Sequence, residues 1–316
     1  MVRLAHGNYE KVHSFYRQEF CEDVNIWNRD IDKYCPDNII ENLSVHTGVS
    51  KSVIKNSTLS SYEGILFDHT KRLGRDFWIS RLGIYHRVRT RYGLAICPLC
   101  LADSPDVYYR KLWRLTPYMV CSIHWNYLLD HCPNCGAPIA FYRRSIGVKS
   151  RFKPSKISLC FSCDFDLCRS KTQSANWEQP SGKKNYYNFF QMIENGESSD
   201  LFSISSFPLL VLSGIRILIK AITSNNKYSK TLLHALIPLF PGLNFILQDA
   251  TKQFSDFSII ERHCCLEAAL WLIEDWPLRF RQFCQQNKVM SSAFIREDIN
   301  DVSFWLVKQL RYFCFP

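Results

Sequence analysis

The sequence predicts a mostly α-helical chain with a small metal-binding region at its centre, on three observations. Eight cysteine and histidine side chains fall in four pairs between residues 97 and 163, with two residues between the members of each pair. Apolar residues recur at helical spacing elsewhere, as in ERHCCLEAALWLIEDWP, where Leu266, Leu270 and Ile273 align with Ala269 beside them. The 316 residues are 47% hydrophobic and 14% aromatic, which is enough to build real cores and excludes a disordered chain.

Residues 1–96 read as an N-terminal helical region. Asp37-Asn38 caps a helix through IIENLSVHTG, Gly48 ends it, and Ser50 caps a second helix, KSVIKNSTL. Helix, glycine turn and helix at this spacing fit a helix-turn-helix, although a plain packed helix pair gives the same pattern. The second helix carries only Lys51 and Lys55, which is thin for reading DNA. GIYHRVRTRYGLAIC then alternates, placing Arg87, Arg89 and Arg91 on one face of an extended segment. That face either meets phosphate or an acidic surface, or is a solvated edge.

Residues 97–168 form two tandem cysteine-rich modules. Residues 169–200 read as a polar linker, marked by Pro180 and Gly182, with a short helix at YYNFFQMI, 186–193. Residues 201–316 read as a C-terminal helical domain. Its most apolar stretch, FPLLVLSGIRILIKAI, is interrupted by Arg216 and Lys220 and is short for a bilayer, so a buried helix is expected and no membrane partner. Pro277 ends the helix before it or starts the next. RFRQFCQQ and DVSFWLVKQLRYF continue the pattern, and no solenoid repeat is visible.

The cysteine pairs carry the chemistry. Cys97-x2-Cys100 and Cys121-x2-His124 are separated by twenty residues, and Cys132-x2-Cys135 and Cys160-x2-Cys163 by twenty-four. A two-residue gap lets both side chains of a knuckle meet one ion, and thiolates with imidazole suit tetrahedral zinc. Pro98 and Pro133 stiffen the turns, and Gly136 supplies positive φ. Two zinc ions (Zn2+) per chain follow. Sequential pairing is favoured over a cross-brace, and His131 and Cys168 read as neighbours that are not ligands. The start, MVRLAHGNYEKVHSFY, lacks an apolar secretion signal, so the 14 cysteines are expected to be reduced or metal-bound in a soluble, intracellular protein.

Each set supplies four ligands, so neither metal needs an open position for chemistry. No glutamate lies between 97 and 163, and the aspartates there are Asp103, Asp106 and Asp130. The motifs of zinc deaminases, zincins, P-loops and nucleophile elbows are missing. The expectation is structural metal and no enzyme, with a zinc-dependent nucleic-acid hydrolase the least favoured alternative.

Charge points to the partner. The formal net charge is +10, and residues 71–171 hold 18 basic against 6 acidic side chains, leaving 21 against 23 elsewhere. Such concentration is the footprint of nucleic acid or a nucleic-acid-containing complex. Candidate contacts are Arg87, Arg89, Arg91, Arg110, Lys111, Arg114, Arg143, Arg144, Lys149, Arg151 and Lys153. Trp113, Tyr118 and Val120 are expected to pack around the modules, with Arg110, Lys111 and Arg114 exposed beside them.

RVRTRYGLAICPLCLAD, then LWRLTPYMVCSIHWNYLLDHCPNCGAPI, resembles the signature of the TniQ/TnsD proteins of Tn-seven-like transposons. WNRDIDKYCPDNIIENLSVHTGVS and LEAALWLIEDWPLRF are also similar to that family. The resemblance implies target selection in transposition by a bacterial cytoplasmic, nucleoid-associated protein with no chemistry of its own. It implies an adaptor between a target-recognition complex, an RNA-guided Cascade with its guide RNA, and the AAA+ regulator TnsC, often as a homodimer. Its alternative is a TnsD-like protein that reads target DNA directly. The eight ligands match the family's two zinc sites. The family's opening segment, E-S-x-x-S-W-x-x-R-L-A, is met here only from VRLAHGN, which implies a late start or a truncated first helix.

Overall fold

The computed structural model describes residues 2–19, 30–69, 76–82, 94–144, 156–197, 204–205, 207–248, 253–295 and 303–313. The chain divides into two compact units, Met1–Glu63 with His69–Ser174, and Gly64–Asp68 with Ala175–Pro316. Among the described residues extended chain pairs only as isolated bridges, so the architecture is helical with an irregular centre.

The first unit opens with α1 (Val2–Gly7), α2 (Val12–Glu19), α3 (Asp37–Thr47) and α4 (Lys51–Asn56). Ala5, Val12, Tyr16 and Ile39 form a small core of α1, α2 and α3, bordered by Phe15, Ile31, Cys35 and Leu43, while α4 has no buried residue. Gly48 ends α3 at φ 69°, its N–H donating to the Ser44 carbonyl, as its position in the sequence requires. Two expectations are corrected. Pro36, not an aspartate or asparagine side chain, precedes α3, and Asp37 is its first residue. The helix expected through Leu59 stops at Asn56, because the Ser57 and Thr58 hydroxyls donate back to the Ile54 and Lys55 carbonyls at 2.7 Å each. Those bonds offer the chain an alternative to another turn. Helix, turn and helix are present, but α4 is only six residues long.

The second unit is organised on α10 (Ile259–Ile273). It packs against α6 (Gly182–Asn195), α7 (Pro208–Ile222) and α11 (Leu278–Gln286). IIERHCCLEAALWLI is apolar almost all round, and such a helix must be enclosed. Its entry is set by a capping box in which Ser258 Oγ accepts from the Glu261 N–H and Glu261 accepts from the Ser258 N–H. The helix foreseen within 169–200 spans fourteen residues, burying Tyr186, Phe189, Phe190 and Ile193. α8 (Lys227–Leu236), α9 (Phe245–Gln248) and α12 (Phe304–Leu310) complete the unit. Gly214 of α7 meets the indole of Trp305 so closely that any Cβ would collide with it. The same indole N–H and the Ser303 hydroxyl both donate to the Leu210 carbonyl. Among the described residues no single helix is long and apolar enough to cross a membrane, and α7 buries most of its side chains.

His263 and Glu267 lie one turn apart on α10, both buried. Burial pushes the Glu267 carboxyl up from 4.5 to about 7, against the backbone N–H groups of Gln179 and Glu178 that hold its charge. Burial pushes His263 down from 6.5 to about 4. Between pH 4.5 and 6.5 the folded pair is neutral while the unfolded pair is doubly ionised. Both states then bind one proton, and the pH slopes cancel. Single variants should unmask them. Glu267→Gln leaves stability falling as pH drops from 6.5 to 4, and His263→Gln leaves it falling as pH rises from 4.5 to 7. Each change is about 3 kcal/mol, read from urea midpoints across pH. Flat profiles in both variants would refute the opposed pair.

Candidate metal centres

Three of the four ligand pairs share one backbone design. In each, the N–H four residues after the first ligand donates to that ligand's carbonyl: Trp125 to Cys121 at 2.8 Å, Gly136 to Cys132 at 2.9 Å, Asp164 to Cys160 at 3.1 Å. In each, the first ligand's own N–H donates to the next carbonyl, of Asn126, Ala137 or Phe165. The turn residue has positive φ: 57° at Trp125, 71° at Gly136 and 58° at Asp164. The conformation is free only for glycine, so Trp125 and Asp164 hold it against about 1 kcal/mol or more of strain. CPLC is built differently from the knuckle expected of it. Pro98 starts α5 (Pro98–Asp103), and the Leu101 N–H donates to the Cys97 carbonyl at 3.1 Å in a helical turn. Proline is pre-organised for a first helical turn, and no glycine follows Cys100 to reverse the chain.

These turns gather the eight ligands sequentially. Cys97, Cys100, Cys121 and His124 form site one, and Cys132, Cys135, Cys160 and Cys163 form site two. In each set the ligand atoms lie within 4.8 Å of one another. At site one Cys100 Sγ lies 3.5 Å from Cys121 Sγ and 3.3 Å from His124 Nδ1, and Cys97 Sγ lies 3.5 Å from that nitrogen. At site two Cys132–Cys163 and Cys135–Cys160 are each 3.7 Å apart at sulfur. A tetrahedron with Zn–S bonds of about 2.3 Å has sulfur–sulfur edges of about 3.8 Å, so both sets fit the ion. Thiols this close compete for charge. The bond shared with Cys121 pushes the Cys100 thiol well up, and the same bond holds Cys121 well down. A divalent cation resolves that competition by drawing the thiolate form at every ligand.

Residues around the ligands decide what the sites do. His124 presents Nδ1 to its cluster, and its Nε2 lies 2.9 Å from Asp103 Oδ2 on α5. A carboxylate there fixes the tautomer and makes the ligating nitrogen more basic. Asp130 engages His131 Nδ1 at 2.7 Å, which keeps that ring outside site two. Cys168 also stays outside, in the turn Leu167–Arg169 capped by Asp166. The Asn134 amide donates to Cys163 Sγ at 3.4 Å. We expect Asp103→Asn to weaken metal at site one by about 10- to 100-fold and to leave site two unchanged. Competition with a chelator of known affinity reads this directly, and equal loss at both sites would contradict it.

The basic residues divide. Arg114, expected at the surface, is corrected by its 3% exposure. Its guanidinium donates to Asp30 at 2.5 Å, Asp32 at 2.9 Å and the Ser80 carbonyl at 3.1 Å. Lys111 is exposed, but its ammonium donates to the Asn56 carbonyl and to Ser61 Oγ, over the Tyr62 ring. Arg144 donates to the Cys160 carbonyl at 3.0 Å and to Asp164 at 2.7 Å, bracing a site-two turn. Arg110 lies over Tyr108, and Arg143 over Phe161. Arg87, Arg89, Arg91, Lys149, Arg151 and Lys153 lie outside the described residues. Trp113, Tyr118 and Val120 are buried as expected, and Tyr109 packs between Trp113 and Phe141 with its hydroxyl donating to the Ile157 carbonyl.

The fold and sites define a helical protein whose centre is organised by two four-ligand Cys/His clusters of zinc type. Residues 1–128 match the model of the TniQ family, so this part of the chain is similar to a TniQ domain. The match encloses all four ligands of site one and stops short of site two. The family is a non-catalytic accessory of transposition that works with DNA and the transposition machinery. Comparison with curated proteins finds no match to this chain.

Proposed function

We propose that this protein is a non-enzymatic adaptor that selects targets for DNA transposition, joining an RNA-guided Cascade–guide RNA complex to a TnsC-type AAA+ regulator, as a homodimer. The observation that carries the reading is the closure of both clusters. Each offers four protein ligands to one zinc ion, which is the arrangement of structural sites. The nearby carboxylates are committed: Asp103 to His124, and Asp130 to His131. Catalytic zinc needs an open position and a proton carrier beside it, so hydrolysis is disfavoured.

Direct reading of DNA is disfavoured by α4. Six residues span about 9 Å, short for a helix that must cross several base edges. Of its two lysines, Lys51 pairs with Glu41 at 2.7 Å. Co-purification at physiological salt tests the reading. The adaptor role requires capture by tagged Cascade–guide RNA and by TnsC. No capture by either, together with steeply salt-dependent, sequence-specific binding to duplex DNA, would establish the direct reader instead.

A further inference from the structure

We infer that the two metal sites differ in lability, and that site two is an exchangeable, peroxide-sensitive clasp while site one is a permanent one. The inference rests on the zinc reading of both clusters. The contrast lies in burial. The three cysteines of site one are 0%, 4% and 1% exposed at Cys97, Cys100 and Cys121. At site two Cys132 and Cys160 are equally enclosed, at 1% and 3%, but Cys135 is exposed and Cys163 half-buried. One edge of the site-two tetrahedron, Cys135 to Cys163, therefore faces solvent, whereas site one opens only part of its His124 imidazole, so a chelator or oxidant reaches a ligand sulfur without prior unfolding only at site two.

The residues around each site deepen the contrast. Site one lies between α5 and the 120–127 hairpin turn, whose Val120↔Tyr127 bridge and Leu128–Met119 hydrogen bond continue into Ile96↔Leu129. Opening it breaks that whole set. Site two joins two separate turns, 132–137 and 160–165. Among the described residues Arg144 ties the second turn through the Cys160 carbonyl and Asp164, and Asn134 joins the two through Cys163 Sγ. The first of these ties does not involve the sulfurs and survives loss of the ion.

The pairing of sulfurs supplies the redox step. The exposed Cys135 thiolate attacks a hydroperoxide, the O–O bond breaks, and Cys135 becomes a sulfenic acid as hydroxide or alkoxide leaves. Cys160 thiolate, its sulfur 3.7 Å away, then attacks the sulfenic sulfur. An S–S bond forms, a second hydroxide leaves, and the two thiolates have given up the electron pair that reduced the peroxide. With two of four ligands consumed, the ion passes to solvent.

The test uses the full chain as purified with two zinc ions, mixed with a colorimetric chelator and, separately, with one equivalent of hydrogen peroxide. We expect release in two phases of one equivalent each. Peroxide should release one ion and yield a disulfide among Cys132, Cys135, Cys160 and Cys163, with Cys97, Cys100 and Cys121 still alkylated as free thiols after denaturation. Cys135→Ser should abolish the fast equivalent and leave the slow one. Release of both ions in a single phase, or first oxidation at site one, would overturn the asymmetry while leaving the zinc reading intact. Protein isolated with no zinc at either site would sink both.

Discussion

Cys121→Ala should reduce the bound metal from two ions to one and unfold the centre of the first unit. Cys121 is 1% exposed and closes site one opposite Cys100. Its backbone anchors the turn to Asn126, and Trp125 keeps a strained φ of 57° beside it. Structural zinc contributes about 10–16 kcal/mol to the folding of small zinc modules, against a total stability of about 5–15 kcal/mol for an ordinary domain. Loss of one of four ligands therefore removes more than the segment can supply from its own core. Amide exchange should show protection lost over 94–130, with α6, α7 and α10 unchanged. A variant that keeps two ions and wild-type protection would refute a structural role for site one.

Arg114→Ala should destabilise the first unit by about 3–5 kcal/mol, because it leaves Asp30 facing an enclosed, unpaired position. The guanidinium reaches partners more than eighty positions upstream, so its loss leaves the buried Lys33–Asp76 ion pair to tie the 30–33 turn to the 76–80 segment. The cost is charge, not volume. Arg114→Met should be nearly as damaging, whereas Arg114→Met combined with Asp30→Asn should recover much of the loss. Urea midpoints for the first unit at saturating zinc make the comparison. Equal stability of Arg114→Met and wild type would show that the pair contributes no net attraction.

These two residues also mark how far the sequence carries. The grouping of Cys121 with the other seven cluster residues is legible because a two-residue gap sets both members of a pair on one turn. Arg114 was not legible, since its acidic partners lie far upstream while its neighbours in sequence are basic. It therefore looked like one more surface cation. Gly136 announces its turn, but Trp125 and Asp164 adopt the same positive φ without being glycine; aspartate tolerates that region better than most residues, whereas nothing in the identity of the tryptophan signals it. Asp103 read as a stray carboxylate until α5 placed it against His124. The helix within 169–200 is legible from its buried stripe of Tyr186, Phe189, Phe190 and Ile193, but its polar ends, Gly182–Asn185 and Glu194–Asn195, carry no apolar signal, so the sequence reads it short. By contrast α7 and α10, apolar nearly throughout, were plain from composition alone.

The central claim is that both metals are closed, structural centres in a protein without chemistry of its own. X-ray absorption at the zinc edge of the purified full chain tests it most directly. Seven sulfurs and one imidazole shared by two ions predict an average sulfur shell near 2.3 Å, a minor nitrogen shell near 2.0–2.1 Å, and no oxygen ligand. A water or carboxylate oxygen at either zinc would contradict it, because an open position is what a catalytic metal keeps and a clasp does not.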